Sequence, residues 1–381
     1  MQKLRRLQHK KIFVCIDWFF PAFRAGGPIV SILNLLENYY DNVQYFIWCS
    51  DTDLGKEKLE NIIIDRWVIY NENTMIWYAS KNTRSIRTFK KLVGDIKPDI
   101  LFIIGMYSVF FNLIPMIFGK AEKIILSPRG MLHPGSFGQK SFKKKIYIFF
   151  LKLFRIPRKV IFHATNSIEK DIIENVFGKK VSVSIAENFP RRIRKLDDKI
   201  KVKGALKMVT IALISPSKNF INVLQTLLTS SDIIEYTIYG PVKEKEYWGQ
   251  CLKVIDNLPE NITFKYKGET DPHILPEIFS ENDVYIQPSK NENFGHSIFE
   301  ALSAGKPVIT SNGTPWNNLK YSKAGLNIDP EDKAALNNAI NYFTEMDNGT
   351  FSLWKKGALF YAENAIDFHK IRTQYHEMFS S

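Results

Sequence analysis

Two glutamates, Glu292 and Glu300, stand eight positions apart in PSKNENFGHSIFEALSAGKP, residues 288–307. A carboxylate in a loop, the setting read for Glu292, is free to reach a reacting group. One lying two turns into a helix, the setting read for Glu300, can accept two hydrogen bonds from a vicinal diol such as a ribose. Between them come Asn293, Phe294, Gly295 and His296. A helix starting here would aim its first amides, and a partial positive charge, at a phosphate or a sugar hydroxyl. Two isolated glutamates would be a loop charge and a solvated helix residue, so the neighbours decide.

Upstream, DVYIQP at 283–288 has the alternation and β-branched content of a short strand ended by proline. Downstream, Ile298, Phe299 and Leu302 recur at helical spacing, and Gly305 with Pro307 supplies a stop before another strand at 307–310. The layout is strand, loop, helix, strand, and parallel α/β sheets bind ligands beyond the carboxyl ends of their strands. The run 282–310 resembles the donor-site signature of the retaining family 4 glycosyltransferases, with Glu-x7-Glu, the aromatic-glycine pair and the helix exit Glu-Ala-Leu-x-Ala-Gly-x-Pro-Val. The resemblance implies an α/β fold of GT-B type, two doubly wound parallel-sheet domains facing across a cleft. It also implies a nucleotide-sugar donor, with Glu292 orienting sugar hydroxyls and Glu300 holding the ribose. By the same resemblance, Asn293 and the amides of Phe294, Gly295 and His296 would complete the donor site.

The elements that must position these groups form two strand-helix series. The first opens with the apolar run KIFVCID at 11–17, a strand covered on both faces, then a loop with Gly26 and Gly27, and a helix over 29–40. A tight turn explains a lone Gly-Gly equally well; the resemblance makes it the glycine loop near the donor phosphates or the acceptor. Strands follow at 43–49, 61–70, 98–105 and 123–127, with a helix over 85–96. Residues 128–136, PRGMLHPGS, then resemble a loop of the family's polysaccharide-assembly members. Arg129 suits phosphate or carboxylate and would assist at the leaving diphosphate, and His133 could relay a proton, so both join Glu292 as catalytic candidates; a salt-bridged arginine and a surface histidine are the plain alternatives. His133 occupies a variable position of that pattern. Val160 to Thr165 reads as the next strand, with His163 a satisfied core residue and Asn166 a helix cap.

The second series starts with a strand at 207–214, and its first loop carries Lys218, a point charge for a diphosphate. The resembled family places an arginine five residues before that lysine; here the position is Leu213. Strands at 236–240, 262–268 and 324–329 and helices over 333–343 and 353–379 complete the reading. The domains are 1–195 on the acceptor side, 205–350 for the nucleotide sugar, and 351–381 as a helix crossing back to the first.

A length of 381 residues and 45% hydrophobic content suit two soluble globular domains. The net charge of +13 is uneven: residues 1–200 hold 34 basic against 18 acidic side chains, residues 201–381 hold 18 against 21. Such a face attracts nucleic acid, an anionic membrane or a phosphorylated acceptor, and no nucleic-acid motif accompanies it. The segment 139–159, QKSFKKKIYIFFLKLFRIPRK, is basic and amphipathic, so it reads either as a helix lying on an anionic membrane surface or as a core-packed helix with a solvated basic face. The uncharged stretch 100–119 is interrupted by Gly105, Asn112 and Pro115 and reads as a strand and helix rather than a membrane span. The N-terminus does not look like a signal peptide. Cys15, Cys49 and Cys251, in no metal-binding spacing, fit a reducing compartment.

The expected protein is therefore a cytoplasmic glycosyltransferase of hexosyltransferase type, at the inner face of the plasma membrane if the basic helix docks there. It would move a sugar to a hydroxyl of a lipid-linked or nascent bacterial surface glycan, such as O-antigen, capsule or exopolysaccharide. No metal or other cofactor is expected, since Asp51-Thr-Asp53 falls in a loop. A nucleotide-sugar epimerase of the same fold and a non-catalytic glycan- or membrane-binding scaffold are the alternatives.

Overall fold

A computed structural model of the chain describes residues 9–22, 24, 26–55, 57–133, 141–194, 196 and 200–380. The expected loop residues 134–136, residues 195 and 197–199 around the expected domain boundary, and the start of the basic segment at 139–140 lie outside the described residues. The chain divides into two compact units, Met1–Phe189 with Phe368–Ser381, and Pro190–Asp367.

The first unit carries β1 (Lys10–Cys15), α1 (Gly27–Asn38), β2 (Val43–Ser50), β3 (Trp67–Asn71), β4 (Thr74–Ala79), α2 (Ile86–Ile96) and β5 (Ile100–Ile104). It continues with α3 (Ile114–Phe118), β6 (Lys123–Ser127), α4 (Ser141–Leu153), β7 (Ile161–Ala164), α5 (Ser167–Phe177) and β8 (Ser182–Ile185). Its sheet runs β3-β4-β2-β1-β5-β6-β7-β8. The strand expected over 61–70 begins only at Trp67 and folds back on β4, an antiparallel edge pair in an otherwise parallel sheet. The polar Asn71-Glu72-Asn73 supplies the turn, with the Asn71 side chain accepting from the Asn73 amide at 3.2 Å.

The second unit carries β9 (Ala205–Ile211), α6 (Phe220–Leu227), β10 (Ile233–Tyr239), α7 (Lys245–Ile255), β11 (Ile262–Tyr266), α8 (Leu275–Glu281) and β12 (Val284–Gln287). It ends with α9 (His296–Ser303), β13 (Val308–Ser311), β14 (Gly325–Ile328), α10 (Lys333–Thr344) and α11 (Asn348–Asn364). Its sheet is parallel throughout, in the order β11-β10-β9-β12-β13-β14. The strand order reverses beside β1 in one unit and beside β9 in the other. In α/β sheets the carboxyl ends of the strands at such switch points are where ligands are taken.

Two boundaries differ from the sequence reading. The first unit ends at Phe189 rather than 195, because buried Phe189 stacks on Tyr375 whereas the Ile193 amide donates to Ser303 Oγ of α9 at 2.9 Å. The expected C-terminal helix is broken at 365–367. α11 buries Phe351, Trp354, Ala358 and Ala362 in the second unit, while α12 (Phe368–Ser380) buries Ile371, Tyr375, Met378 and Phe379 in the first. All three cysteines are buried and free. The stretch 100–119 forms β5, a π turn over Val109–Leu113, and α3. Among the described residues no helix is long and apolar enough to cross a membrane.

Candidate active site

β12 ends at Gln287, Pro288 stops it, and the following loop turns Glu292 back over the strand end. The Glu292 amide donates to the Gly313 carbonyl at 2.9 Å, and the Lys290 amide to the Ser217 carbonyl at 2.8 Å. Lys218 closes a short 3-10 turn between β9 and α6, and Asn219 follows it in the left-handed conformation. Glu292 Oε1 accepts from Lys218 Nζ, from Gln287 Nε2 at 2.8 Å and from Ser289 Oγ at 2.7 Å. Gln287 is oriented in turn, its Oε1 accepting from the Tyr285 hydroxyl and from Ser297 Oγ at 3.1 Å. A polar chain thus runs from the first turn of α9 to Glu292. It fixes the carboxylate beside a cation at the switch point, with the Glu292 side chain 11% exposed.

Gly295 turns the chain into α9 with φ 75°, and a Cβ there would lie 3.1 Å from Ile298 Cδ1 and 3.2 Å from Trp316 Nε1. Trp316 Nε1 donates to the Phe294 carbonyl at 2.6 Å and meets the Phe294 ring edge-on at 5.1 Å. Asn293 and His296 sit half-buried in the same bend. Glu300 faces inward, its side chain 6% exposed, and its Oε1 accepts from Arg191 Nε at 3.1 Å and Nη2 at 2.8 Å. Burial pushes the Glu300 carboxyl above its usual range, and the Arg191 guanidinium opposes that without cancelling it.

The remaining expected residues lie on loops of the first unit. Gly26 (φ 65°) caps α1, and neither it nor Gly27 has an atom within 4 Å of where a Cβ would stand, leaving open space beside this helix start. Arg129, in the left-handed conformation after β6, donates to Asn188 Oδ1, and the next amide, of Gly130, donates to Glu169 Oε1 at 2.6 Å. Beneath it His163 is fully buried. Its Nε2 lies 2.8 Å from the Ala186 carbonyl, which can only accept, so Nδ1 must accept from Ser127 Oγ at 2.9 Å. Burial, then the Arg129 charge, pushes His163 down to about 3. His133 is half-buried at the end of the same turn, its amide donating to the Gly130 carbonyl at 3.1 Å.

The structure therefore joins Glu292 to Lys218 and sets both with Glu300 and the Phe294–His296 bend in one unit. Gly26, Gly27, Arg129 and His133 belong to the other. Sequence reasoning passed over Gln287, Ser289 and Trp316, which shape the loop, and Arg191, which lies in a charged stretch without periodicity. It also passed over Asp17, just beyond β1. Burial raises the Asp17 carboxyl against a Ser108 hydrogen bond and the Arg84 charge. Its position as the polar residue ending a buried apolar run was the available signal.

Residues 193–357, most of the second unit, match the family model described as Glycosyl transferases group 1. Similar over most of their length are an uncharacterized 41.2 kDa protein in the cps region of Klebsiella pneumoniae and the O-antigen biosynthesis glycosyltransferase WclY of Escherichia coli. The first is 24% identical over 75% of this chain and 78% of its own, the second 25% over 86% and 88%. Among solved structures, Anabaena Alr3699/HepE in complex with UDP and glucose superposes with a TM-score of 0.70 over 98% of this chain and 100% of that one, at 14% identity. That likeness defines the fold, the GT-B arrangement of two α/β domains with parallel sheets. The chain is a glycosyltransferase, with a group 1 domain in its second unit.

Proposed function

We propose that this enzyme transfers a sugar, with retention of anomeric configuration, from a nucleotide sugar bound on the second unit to a hydroxyl of a lipid-linked or nascent bacterial surface glycan. The observation that carries the reading is the Lys218–Glu292 contact, braced by Gln287 and Ser289 at the β9/β12 switch point. Breaking the donor bond builds negative charge on the leaving diphosphate, and preorganised positive groups lower that barrier most effectively. Lys218 and the first amides of α9 supply them, so no metal is invoked and Leu213 is tolerated in place of an arginine. Glu292, locked through Oε1, presents its other oxygen to sugar hydroxyls. Glu300, held by Arg191, takes the ribose diol, and Asn293 and His296 line the bend around the donor. On the first unit, the open helix start at Gly26 and Gly27 is assigned to substrate approach. Arg129 and His133 keep the catalytic roles read for them, a phosphate-binding guanidinium and a proton relay. The surface-glycan acceptor rests on the names of the relatives, an O-antigen enzyme and a cps-region protein.

Nucleotide release from UDP- and GDP-sugars, with and without lipid-linked acceptors, tests this. Lys218→Ala and Glu292→Ala should each lower acceptor-dependent release by about 100-fold or more. Parent-like release in both variants, or conversion of the donor sugar without acceptor, would discard the reading.

A further inference from the structure

α4 has two apolar faces where a surface helix needs one. Ile148 and Leu151 point into the core of the first unit. Ile146, Phe149, Phe150, Leu153 and Phe154 follow the same helical spacing on another side and stay in solvent, at 41%, 60%, 48%, 59% and 64% exposure. Phe149 meets Phe150 at 5.7 Å, and Phe150 stacks on Phe154 at 6.4 Å, so the rings form one continuous surface. Lys143, Lys145, Lys152, Arg155, Arg158 and Lys159 are exposed on the helix and the turn after it. No acidic residue occurs between Glu122 and Glu169.

An exposed apolar patch of this kind marks an interaction site, and its charge says with what. Aromatic rings flanked by cations on long aliphatic stems match the boundary of a bilayer, where rings enter the acyl region and ammonium and guanidinium groups reach anionic headgroups. A 13-residue helix is about 20 Å long, too short to span, so it would lie in the plane. We infer that α4 and the turn after it dock the enzyme on a lipid surface containing anionic lipid, with Phe149, Phe150, Leu153 and Phe154 inserted. This goes beyond the transfer reaction and does not rest on it, because binding is measured without donor or turnover.

The test is sedimentation of the full chain with vesicles of phosphatidylcholine alone or with phosphatidylglycerol added. The parent should partition onto the anionic vesicles at low salt and only weakly onto the neutral ones. Combined Phe149→Ser, Phe150→Ser and Phe154→Ser should cut that partition by about tenfold or more. Combined Lys143→Gln, Lys145→Gln and Lys159→Gln should cost about fivefold per charge and flatten the salt dependence. Ile69→Ser and Tyr321→Ser, exposed apolar positions elsewhere, should change nothing. Phe150→Trp should report insertion directly by a blue-shifted emission on anionic vesicles. The proposal fails if the parent stays in solution with both vesicle types, if the phenylalanine variant binds as the parent does, or if the Trp emission does not move. It also fails if light scattering shows that the stripe is covered by a second copy of the chain and vesicles do not compete.

Discussion

Glu300 and His163 are buried ionisable groups displaced in opposite directions, and each leaves its own mark on stability. The folded Glu300 carboxyl lies above its ordinary value of 4.5, with burial outweighing Arg191. A carboxyl raised in the folded state contributes stability below its unfolded pKa and loses it as pH rises through the folded one. At neutral pH the ionised Glu300 therefore weakens the fold. Glu300→Gln keeps the volume and can still accept from Arg191, so its melting temperature should equal or exceed the parent's at pH 7, the gap closing below 4.5. The proposed ribose contact of Glu300 further predicts that nucleotide affinity falls by about tenfold, since a charged hydrogen-bond acceptor is replaced by a neutral one. A variant that melts lower at pH 7 would show that the Arg191 pair outweighs burial. His163 works the other way: folded near 3 against 6.5, it stays neutral in the native state while the unfolded chain takes up a proton. Its contribution is complete above pH 6.5 and drains away as pH falls toward 3. In urea titrations across that range, His163→Gln should flatten the acid limb of the stability curve whatever it does to the absolute value.

Among elements, the entry to α9 is the most constrained. Gly295→Ala would force a left-handed φ of 75° on alanine and crowd Ile298 and Trp316, and the Trp316 bond to the Phe294 carbonyl keeps the bend from relaxing. A cost of about 1–2 kcal/mol, read by chemical denaturation, is expected. Gly27→Ala is the counter-case, in open space with ordinary backbone, so stability should hold while any loss of turnover reports a ligand that needs that space. This bend was legible in the sequence because its signals are local: alternation in β12, a proline stop, and helical spacing after a glycine. The cap at Asn166 was readable for the same reason. The β3–β4 hairpin was not read, although the polar Asn71-Glu72-Asn73 between two apolar runs was a local signal for its turn. Nor was the hold of Arg191 on Glu300, 109 residues apart in the chain, because no periodicity marks a contact made only by folding. α7 and α8 were passed over, although Tyr247 with Cys251, and Leu275 with Ile278 and Phe279, stand at helical spacing.

At the scale of the whole molecule the chain leaves the first unit, builds the second and returns its last helix to the first. The reading of a single crossing helix missed that α11 and α12 serve different cores, because aromatic residues recur along both without saying which sheet they cover. α12 is more than a tail. Tyr375 is fully buried, stacks on Phe189 at 5.3 Å and lies 5.7 Å from the His163 ring, and Phe379 meets Phe102 at 5.7 Å. Lys10 Nζ donates to the Phe379 carbonyl at 2.7 Å, tying the start of β1 to the end of the chain. Tyr375→Ala removes a large ring from the centre of this contact, a change that costs about 3–5 kcal/mol in a core that cannot collapse around the void. Hydrogen exchange on the full chain should then speed up in β1, β5, β7, β8 and α12 together, while β9, β12 and α9 keep the parent's protection and nucleotide still slows their exchange. If exchange rose equally in both units, they would unfold as one cooperative body. If it rose only in α12, that helix would be an appendage rather than part of the first unit's core.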